Sequence, residues 1–317
     1  MLSLIARRLV QLPLIVLAIY TATFVLVWLI PGSPMDQPEG RQPPQAVIEA
    51  MEAQYSLNNP VTFYFSYLGR ASGVSWVLGR SATLFDLGPS LRNPDWTVNE
   101  ILADGLPVSI TLGLCAILLA LFIGLGAGVI AGLRPGSAWD WSAQVVSLLG
   151  ISLPSFVTGS ILLIFFGALL GWFPVGGWGT PAAIVLPAIT LSLPFAAYIA
   201  RLVRFGMIEQ MATDHIRTAR AKGLPRWKTA LKHALKNAFL PVLSYLGPAT
   251  AAALTGSFVV EKVFAVPGIG RHFVDGVLSK DITLVMGVVL VYSTMLIILN
   301  LAVDVLYAWV DPRIQLK

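Results

Sequence analysis

Six long runs of apolar residues constrain this 317-residue chain more than any other feature. They cover residues 9–30, 106–133, 143–170, 183–203, 239–260 and 283–308, and each is long enough for a helix to cross roughly 30 Å of hydrocarbon. The runs are continuous and lack the alternation of apolar and polar residues that is typical of a strand in a membrane β-barrel. The chain is 56% hydrophobic and only 12% charged, which is more apolar than soluble domains. The sequence predicts an all-α integral membrane protein with six transmembrane helices.

The first run also has the basic start and apolar centre of a signal peptide. It is longer than a typical signal core, and no clear small-residue cleavage site follows it, so we interpret it as the first span.

The distribution of Lys and Arg predicts the orientation of the spans. With the N-terminus in the cytoplasm, the cytoplasmic segments carry 14 of the 21 Lys and Arg residues and the outer segments carry seven. Positive charge favours the inner side of a membrane. Both termini are therefore expected to face the cytoplasm. Because the excess charge is concentrated at the inner edges, the net charge of +5 does not indicate nucleic-acid binding.

A single transmembrane domain, residues 1–317, is predicted, with two long connections. Residues 31–105 form an extracytoplasmic insert after the first span, within which residues 46–55 have helical periodicity. The aromatic residues Phe63, Tyr64, Phe65 and Tyr67 follow, and interfacial anchoring is a simpler interpretation than contact with a ligand or receptor. Residues 206–237 form a cytoplasmic loop.

Proline and glycine mark places where the spans depart from plain helices. Pro154, Pro187 and Pro194 lack a backbone donor, so they are expected to kink or interrupt the third and fourth spans, either as hinges or as static kinks. In the second span, Gly124 and Gly128 have the spacing at which small residues allow helices to approach closely.

The side chains that commonly carry chemistry are scarce. Asp304 is expected to be the only acid near a span, whereas an ion-coupled carrier needs buried ionisable groups. Cys115 is the single cysteine, so it cannot form an internal disulfide, and its apolar run predicts a small buried hydrophobic residue. The three histidines form no HExxH pattern, and the chain has no GxxxxGK[ST] phosphate loop. No catalytic, cofactor-binding or metal residue is predicted, and the sequence does not identify the residues of a translocation path.

The longest strongly charged segment, residues 209–241, is the best indication of function. Its residues predict two helices joined at Gly223, which can adopt the left-handed conformation that ends a helix, with Pro225 at the start of the second. In the second helix an apolar face opposes a face bearing Lys228, Lys232 and Lys236. This pattern fits a basic loop at lipid headgroups, or a docking surface for a soluble partner.

This segment resembles the cytoplasmic EAA loop of the membrane subunits of ABC importers, and TDHIRTARAKGLPRWKTALKHALKNAFLPVL resembles the dipeptide and oligopeptide branch. The similarity continues in RRLVQLPLIVL, LIPGSP, GISLPSF, LPAITLSLPFAAYIARLVR, EKVFAVPGIG and the terminal DPRI. The chain departs from the general EAA pattern in having Arg217, Thr218 and Ala219 at the E-A-A positions, and Lys236 where a later proline is usual.

The resemblance implies a permease subunit of an ATP-driven peptide importer that works by alternating access, located in the inner membrane of a prokaryote. A second, homologous permease, two ATP-binding subunits and an extracytoplasmic binding protein would be its partners, with ATP and Mg²⁺ in the ATPase subunits and none in this chain. A coupling helix would dock in the ATPase through eight residues: Asp214, Ile216, Arg217, Ala219, Arg220, Ala221, Lys222 and Gly223.

Three alternatives stay open from the sequence. Nickel chelates or glutathione are carried by closely similar permeases. An ion-driven secondary carrier would transport by this chain alone, and a membrane scaffold would have no translocation role.

Overall fold

A computed structural model describes residues 2–31, 53, 55–93, 95–255 and 257–310. Over these residues the fold is helical, and the β pairing that they contain is one isolated antiparallel bridge between Pro89 and Thr97. The predicted helix at residues 46–55 lies outside the described residues except for positions 53 and 55, and so do the side chain of Asp304 and the terminal DPRI segment.

The helices fall into two compact units, Met1–Val108 with Pro267–Ile298, and Ser109–Val266 with Leu299–Lys317. The helices that lie wholly in the first unit are α1 (Leu2–Leu29), α2 (Pro60–Ala71), α3 (Val74–Val77) and, later in the chain, α13 (Ile269–Leu278). Two helices run from one unit into the other, α4 (Val98–Leu133) and α14 (Ile282–Val310).

The second unit contains the other helices. They are α5 (Ala138–Ser152), α6 (Ser155–Leu162) with a π-helical continuation at Leu163–Leu169, α7 (Pro181–Met211), α8 (Asp214–Ala221), α9 (Arg226–Thr229), a π-helical turn at Ala230–Ala234, α10 (Leu235–Ala238), α11 (Leu240–Leu254) and α12 (Phe258–Val263).

The helix lengths confirm the predicted membrane fold. By length and composition, five helical segments of the described chain can cross a membrane. A sixth crossing results when Ala138–Ser152 and Ser155–Leu169, between which the helix axis bends by 110°, count as one span. The bend lies at Pro154, where Leu153 is extended, with φ −80° and ψ 128°. Pro187 and Pro194, in contrast, lie inside the unbroken helix α7.

The core of the first unit is aromatic, and this corrects one expectation. Phe63 and Tyr67 are fully buried against α1, in a cluster with Tyr20 and Phe24, so they are core residues and not interfacial anchors. Phe65 points outward and is 64% exposed. The sequence could not separate them, because consecutive aromatic residues on a helix necessarily face different directions.

A buried carboxylate attaches the insert to the start of the last helix. Asp281 is 1% exposed and accepts hydrogen bonds from the Thr283 hydroxyl (2.9 Å) and the Leu284 backbone N–H (3.1 Å), so it caps α14. The Ser90 hydroxyl donates to the same carboxylate.

Burial raises the pKa of the Tyr67 phenol well above its ordinary value, and the phenol donates to the Thr283 carbonyl.

In the second unit, α7 is the central helix, and the glycines of α4 pack directly on it. A Cβ atom added at Gly124 would lie 2.8 Å from the Ala196 carbonyl oxygen, and one at Gly128 would lie 2.6 Å from the Val203 Cβ. Such contacts do not occur between real side chains, so these positions require glycine. This confirms the close approach that their spacing predicts.

Substitution of these glycines tests the packing. Gly128→Ala should lower the stability of the purified chain by about 1–3 kcal/mol, because the added methyl overpacks the contact with α7. Gly126→Ala is the matched control on the same helix, since a Cβ there meets no atom within 4 Å. Alanine is the better helix former, so the control should be neutral or more stable. Thermal unfolding in detergent measures both, and equal midpoints would contradict the close packing.

Candidate functional site

The charged segment forms a short helix that ends as predicted. Helix α8 begins after Thr213, whose backbone is extended, and Asp214 lies in its first turn, where a negative charge is favourable. At the other end, Gly223 has φ +85°. The Gly223 N–H donates to the Arg220 carbonyl (2.9 Å) and the Leu224 N–H to the Ala219 carbonyl (3.3 Å). These two bonds define a Schellman motif, for which glycine is the preferred residue.

One side chain attaches this helix to the membrane part of the unit. Ile216 is fully buried, in the same hydrophobic cluster as Val203 and Met207 of α7 and Ala230 and Ala234 of the following helical segment. A buried isoleucine contributes about 2–5 kcal/mol relative to alanine, more than an eight-residue helix gains from its own hydrogen bonds. The position of α8 therefore depends on Ile216.

The other predicted site residues lie at or near the surface. Asp214, Arg217, Arg220, Ala221, Lys222 and Gly223 are exposed, and Ala219 is half-buried. The Arg217 and Asp214 side chains, 75% and 94% exposed, are 3.4 Å apart. A pair this exposed contributes little to stability. The outer face thus presents three cations and one carboxylate, whereas Ile216 points into the protein's own core.

The segment after Gly223 packs against the rest of the unit through small residues and not through its large apolar ones. Ala230, Ala234 and Ala238 are buried, but Trp227 and Leu231 are 58% and 50% exposed. The predicted apolar face is therefore narrower than its composition suggests. The π-helical turn at Ala230–Ala234 shifts the register of the side chains within this segment.

Two polar contacts join this segment to the ends of the long helices. The Arg226 guanidinium donates to the Leu133 carbonyl, the last residue of α4. The Asn237 amide donates to the Gln210 side-chain oxygen on α7 (3.2 Å). These two hydrogen bonds connect the segment after Gly223 to α4 and to α7.

An ion pair that sequence reasoning missed lies between α5 and α7. Asp140 is 1% exposed and receives two bonds from Arg204, from Nε to Oδ1 and from Nη2 to Oδ2 (2.8 Å). Asp140 also accepts the Gly136 N–H (2.8 Å). Glu261 of α12 is likewise buried and accepts the Ser109 hydroxyl (2.8 Å). The expectation that Asp304 is the only acid near a span is therefore wrong.

The first unit contains a cavity of about 830 Å³ between the end of the insert, the start of α4 and helix α13. Its polar wall carries both signs of charge. The charged and aromatic lining residues include Arg92, Trp96, Asp104, Arg271, His272, Asp275 and Asp281. No cluster of three metal-ligating side chains is found among the described residues.

Burial lowers the pKa of His272 below its usual value, and Arg271 lowers it further, while Asp275 and Asp104 oppose the shift. The folded protein therefore favours the neutral imidazole. As the pH falls below about 6.5, the unfolded chain takes up a proton that the folded chain resists, so stability decreases.

The comparisons with known proteins agree with this architecture. Over two thirds of the chain, the fold is similar to that of a chain in the MetNI methionine ABC transporter, solved in inward-facing conformations. That chain aligns with a TM-score of 0.52 and 22% identity over 67% of this chain and 96% of its own. This similarity and the apolar helices define the class, a helical protein that crosses the membrane several times.

The sequence specifies the family within that class. Residues 124–316 match the model described as the binding-protein-dependent transport system inner membrane component, and the chain belongs to this family. It is 43% identical to the dipeptide transport system permease protein DppB of Bacillus subtilis (strain 168), over 95% of this chain and 94% of that protein. It is 42% identical to the oligopeptide transport system permease protein OppB of Escherichia coli (strain K12), over 99% and 100%.

The anchoring role of Ile216 can be tested by proteolysis. Ile216→Ala should increase trypsin cleavage after Arg217 and Arg220, because α8 loses its buried contact and opens more often. Thr218→Ala, a change at an exposed neighbour, is the control. Equal cleavage of the two variants would show that another contact holds the helix.

The pH dependence has its own test. The thermal midpoint of the wild-type chain should fall between pH 7 and pH 5, and the fall should be smaller in His272→Gln. His215→Gln, which removes an exposed imidazole, is the control. An identical acid sensitivity in all three proteins would contradict the role of His272.

Proposed function

We propose that this chain is the permease subunit of an ATP-driven importer of dipeptides or oligopeptides. The observation that carries the proposal is the similarity of nearly the whole chain, at 42–43% identity, to permeases of dipeptide and oligopeptide transport systems. The similarity runs through the insert and both ends, so it is not confined to a widely shared segment. Peptide is favoured over nickel chelate or glutathione because these relatives are named for dipeptide and oligopeptide transport.

The proposed coupling surface is the exposed face of α8. Arg217, Arg220 and Lys222 present positive charge on a helix with a fixed end, which suits an acidic cleft in an ATP-binding subunit. Ala219 and Ala221 leave room for close approach. In this proposal Ile216 contributes from the inside, because it links the docked helix to α7 and to the segment that leads into α11.

The mechanism that follows is alternating access driven from outside the chain. Closure of two ATP-binding subunits moves α8, and the Ile216 cluster, Arg226 and Asn237 carry the displacement into α4 and α7. ATP and Mg²⁺ belong to those subunits. A second, homologous permease completes the path, and an extracytoplasmic binding protein delivers the peptide. Both termini face the cytoplasm in this arrangement, and the insert faces outward from the inner membrane.

Charge reversal on α8 tests the docking. Arg217→Glu combined with Arg220→Glu should lower the recovery of ATP-binding subunits in a pull-down by about tenfold or more at low salt, because attraction becomes repulsion. The difference should shrink as salt screens the charges. Lys228→Glu combined with Lys232→Glu is the matched control, since both lysines are exposed on the next segment.

Equal recovery of the α8 variant and wild type at every salt concentration would reject this surface. The function itself is tested separately, by ATP-dependent peptide uptake into liposomes that contain the complete complex. Uptake by this chain alone, driven by an ion gradient, would instead establish a secondary carrier.

A further inference from the structure

A patch of exposed apolar side chains lies in the insert, on α3 and on the loop that follows it. Leu84 and Phe85 lie beside the start of α3, because a Cβ added at Gly73 would be 3.0 Å from the Leu84 carbonyl oxygen and 3.7 Å from the Phe85 ring. The six residues of this apolar patch are 46–74% exposed: Val74, Trp76, Val77, Leu78, Leu84 and Phe85. A surface in water rarely leaves so many adjoining large apolar residues open.

The ends of two spans mark a membrane boundary close to this patch. In the first unit, the apolar span of α1 ends at Leu29 and that of α14 begins at Ile282. Val27, near the first of these ends, is buried in the same hydrophobic cluster as Ile282. The two helix ends therefore lie at the same side of the membrane and define one boundary between hydrocarbon and water.

Helix α2 extends from this boundary toward the hydrocarbon. Phe63 stacks on Phe24 of α1, with ring centroids 6.1 Å apart, and Tyr67 stacks on Tyr20 at 6.2 Å. The Tyr67 hydroxyl would also lie 3.4 Å from a Cβ added at Gly287 of α14. Tyr20 is about 14 Å before the end of its span and Gly287 about 8 Å after the start of its own, measured along the helices. The end of α2 and the apolar patch after it therefore lie level with the spans.

The backbone of α3 is hydrogen-bonded within the segment, as contact with lipid requires. The Gly79 N–H donates to the Trp76 carbonyl (2.9 Å), and the Arg80 N–H donates to the Ser75 carbonyl (2.8 Å). Gly79 has φ +67°, so these bonds form a Schellman motif. The segment thus presents apolar side chains outward while these backbone groups pair with one another.

The charges around the apolar patch also suit a lipid surface. Residues 53–85 contain no aspartate or glutamate, and their charged residues are Arg70 and Arg80. Arg80 is exposed directly after α3. An arginine of this kind can hold its charge among lipid phosphates while its stem lies along apolar surface, and tryptophan is favoured at the same level. Exposed Trp76, aliphatic side chains and a nearby cation are typical of a membrane-interface anchor.

We propose that the apolar patch is a lipid anchor, inserted into the leaflet at which α1 ends and α14 begins. Its six apolar side chains contact acyl chains, and Arg80 lies at the lipid phosphates. This part of the insert then belongs to the membrane and not to the aqueous space beside it. Because Tyr67 donates to the Thr283 carbonyl (3.1 Å), the anchored segment also holds the start of α14 at the membrane surface. The inference does not depend on which substrate is transported.

The test measures the depth of the apolar patch by fluorescence quenching in lipid nanodiscs. The full-length chain carries Cys115→Ala and one new cysteine, Val77→Cys, which is labelled with a small fluorescent dye. Asp95→Cys, at an exposed acid of the same insert, is the matched control. Two quenchers are compared, phospholipids with a spin label on the acyl chain and iodide in the water. Each measurement is repeated in the complete transport complex with cysteine-free partner subunits.

The lipid spin label should quench the dye at position 77 about threefold more strongly than the dye at position 95, because an interfacial anchor lies about 5–10 Å into the headgroup and acyl boundary. Iodide should show the reverse order by a similar factor of about three, since it stays in the water. Both orders should persist in the complete complex.

Three results would overturn the proposal. Iodide quenching at position 77 that equals or exceeds the quenching at position 95 would place the apolar patch in water. If that quenching disappears on addition of an extracytoplasmic binding protein, the patch is a docking surface for that protein. Lipid quenching that is present in the chain alone and lost in the complete complex would assign the patch to a partner subunit.

Discussion

The contact between the glycines of α4 and the buried face of α7 is the interaction on which the second unit depends. Lipid tails are as apolar as the helices, so burial from water contributes little to helix association within a bilayer, and close van der Waals contact replaces it. Gly124, Gly128 and Gly132 bring α4 so close that a methyl group at any of them would meet α7 at 2.8 Å or less. This contact fixes the position of α7. The Arg204 ion pair and the Met207 contact with the Ile216 cluster both follow from it.

The sequence predicts most of what is local. The apolar runs locate the spans, because crossing hydrocarbon demands an uninterrupted helix of sufficient length. Gly223 ends α8 as predicted, since the left-handed turn is a property of the residue and its immediate neighbours. The orientation of Ile216 could not be predicted. Its inward direction depends on Met207 and Ala230, which belong to other helices and whose position no local pattern reports.

The effect of each proline on its helix also could not be predicted from the local sequence. Pro154 ends one helix and begins another, with Leu153 extended before it, as steric repulsion before proline favours. Leu186 and Leu193 precede prolines as well, yet both remain helical inside α7. Leu186 is 2% exposed, and Pro187 is buried beside it. Packing on several sides therefore keeps α7 unbroken at its prolines, whereas the chain bends between α5 and α6. The residue before a proline prefers an extended backbone in all three cases, and contacts with other helices decide whether it adopts one.

Some charged side chains of the second unit form an ion pair within the described chain, and others do not. Asp140 and Arg204 are separated by 64 positions, and each offsets part of the cost of burying the other's charge. Sequence spacing gives no sign of such a pair, because neither residue has an obvious partner along its own helix. Arg201 is only three residues from Arg204 and has the same guanidinium, but its face of α7 is uncovered. The face of α7 with Ile199, Val203 and Met207 therefore holds the unit together through buried contacts, whereas the face with Arg201 stays exposed within the unit.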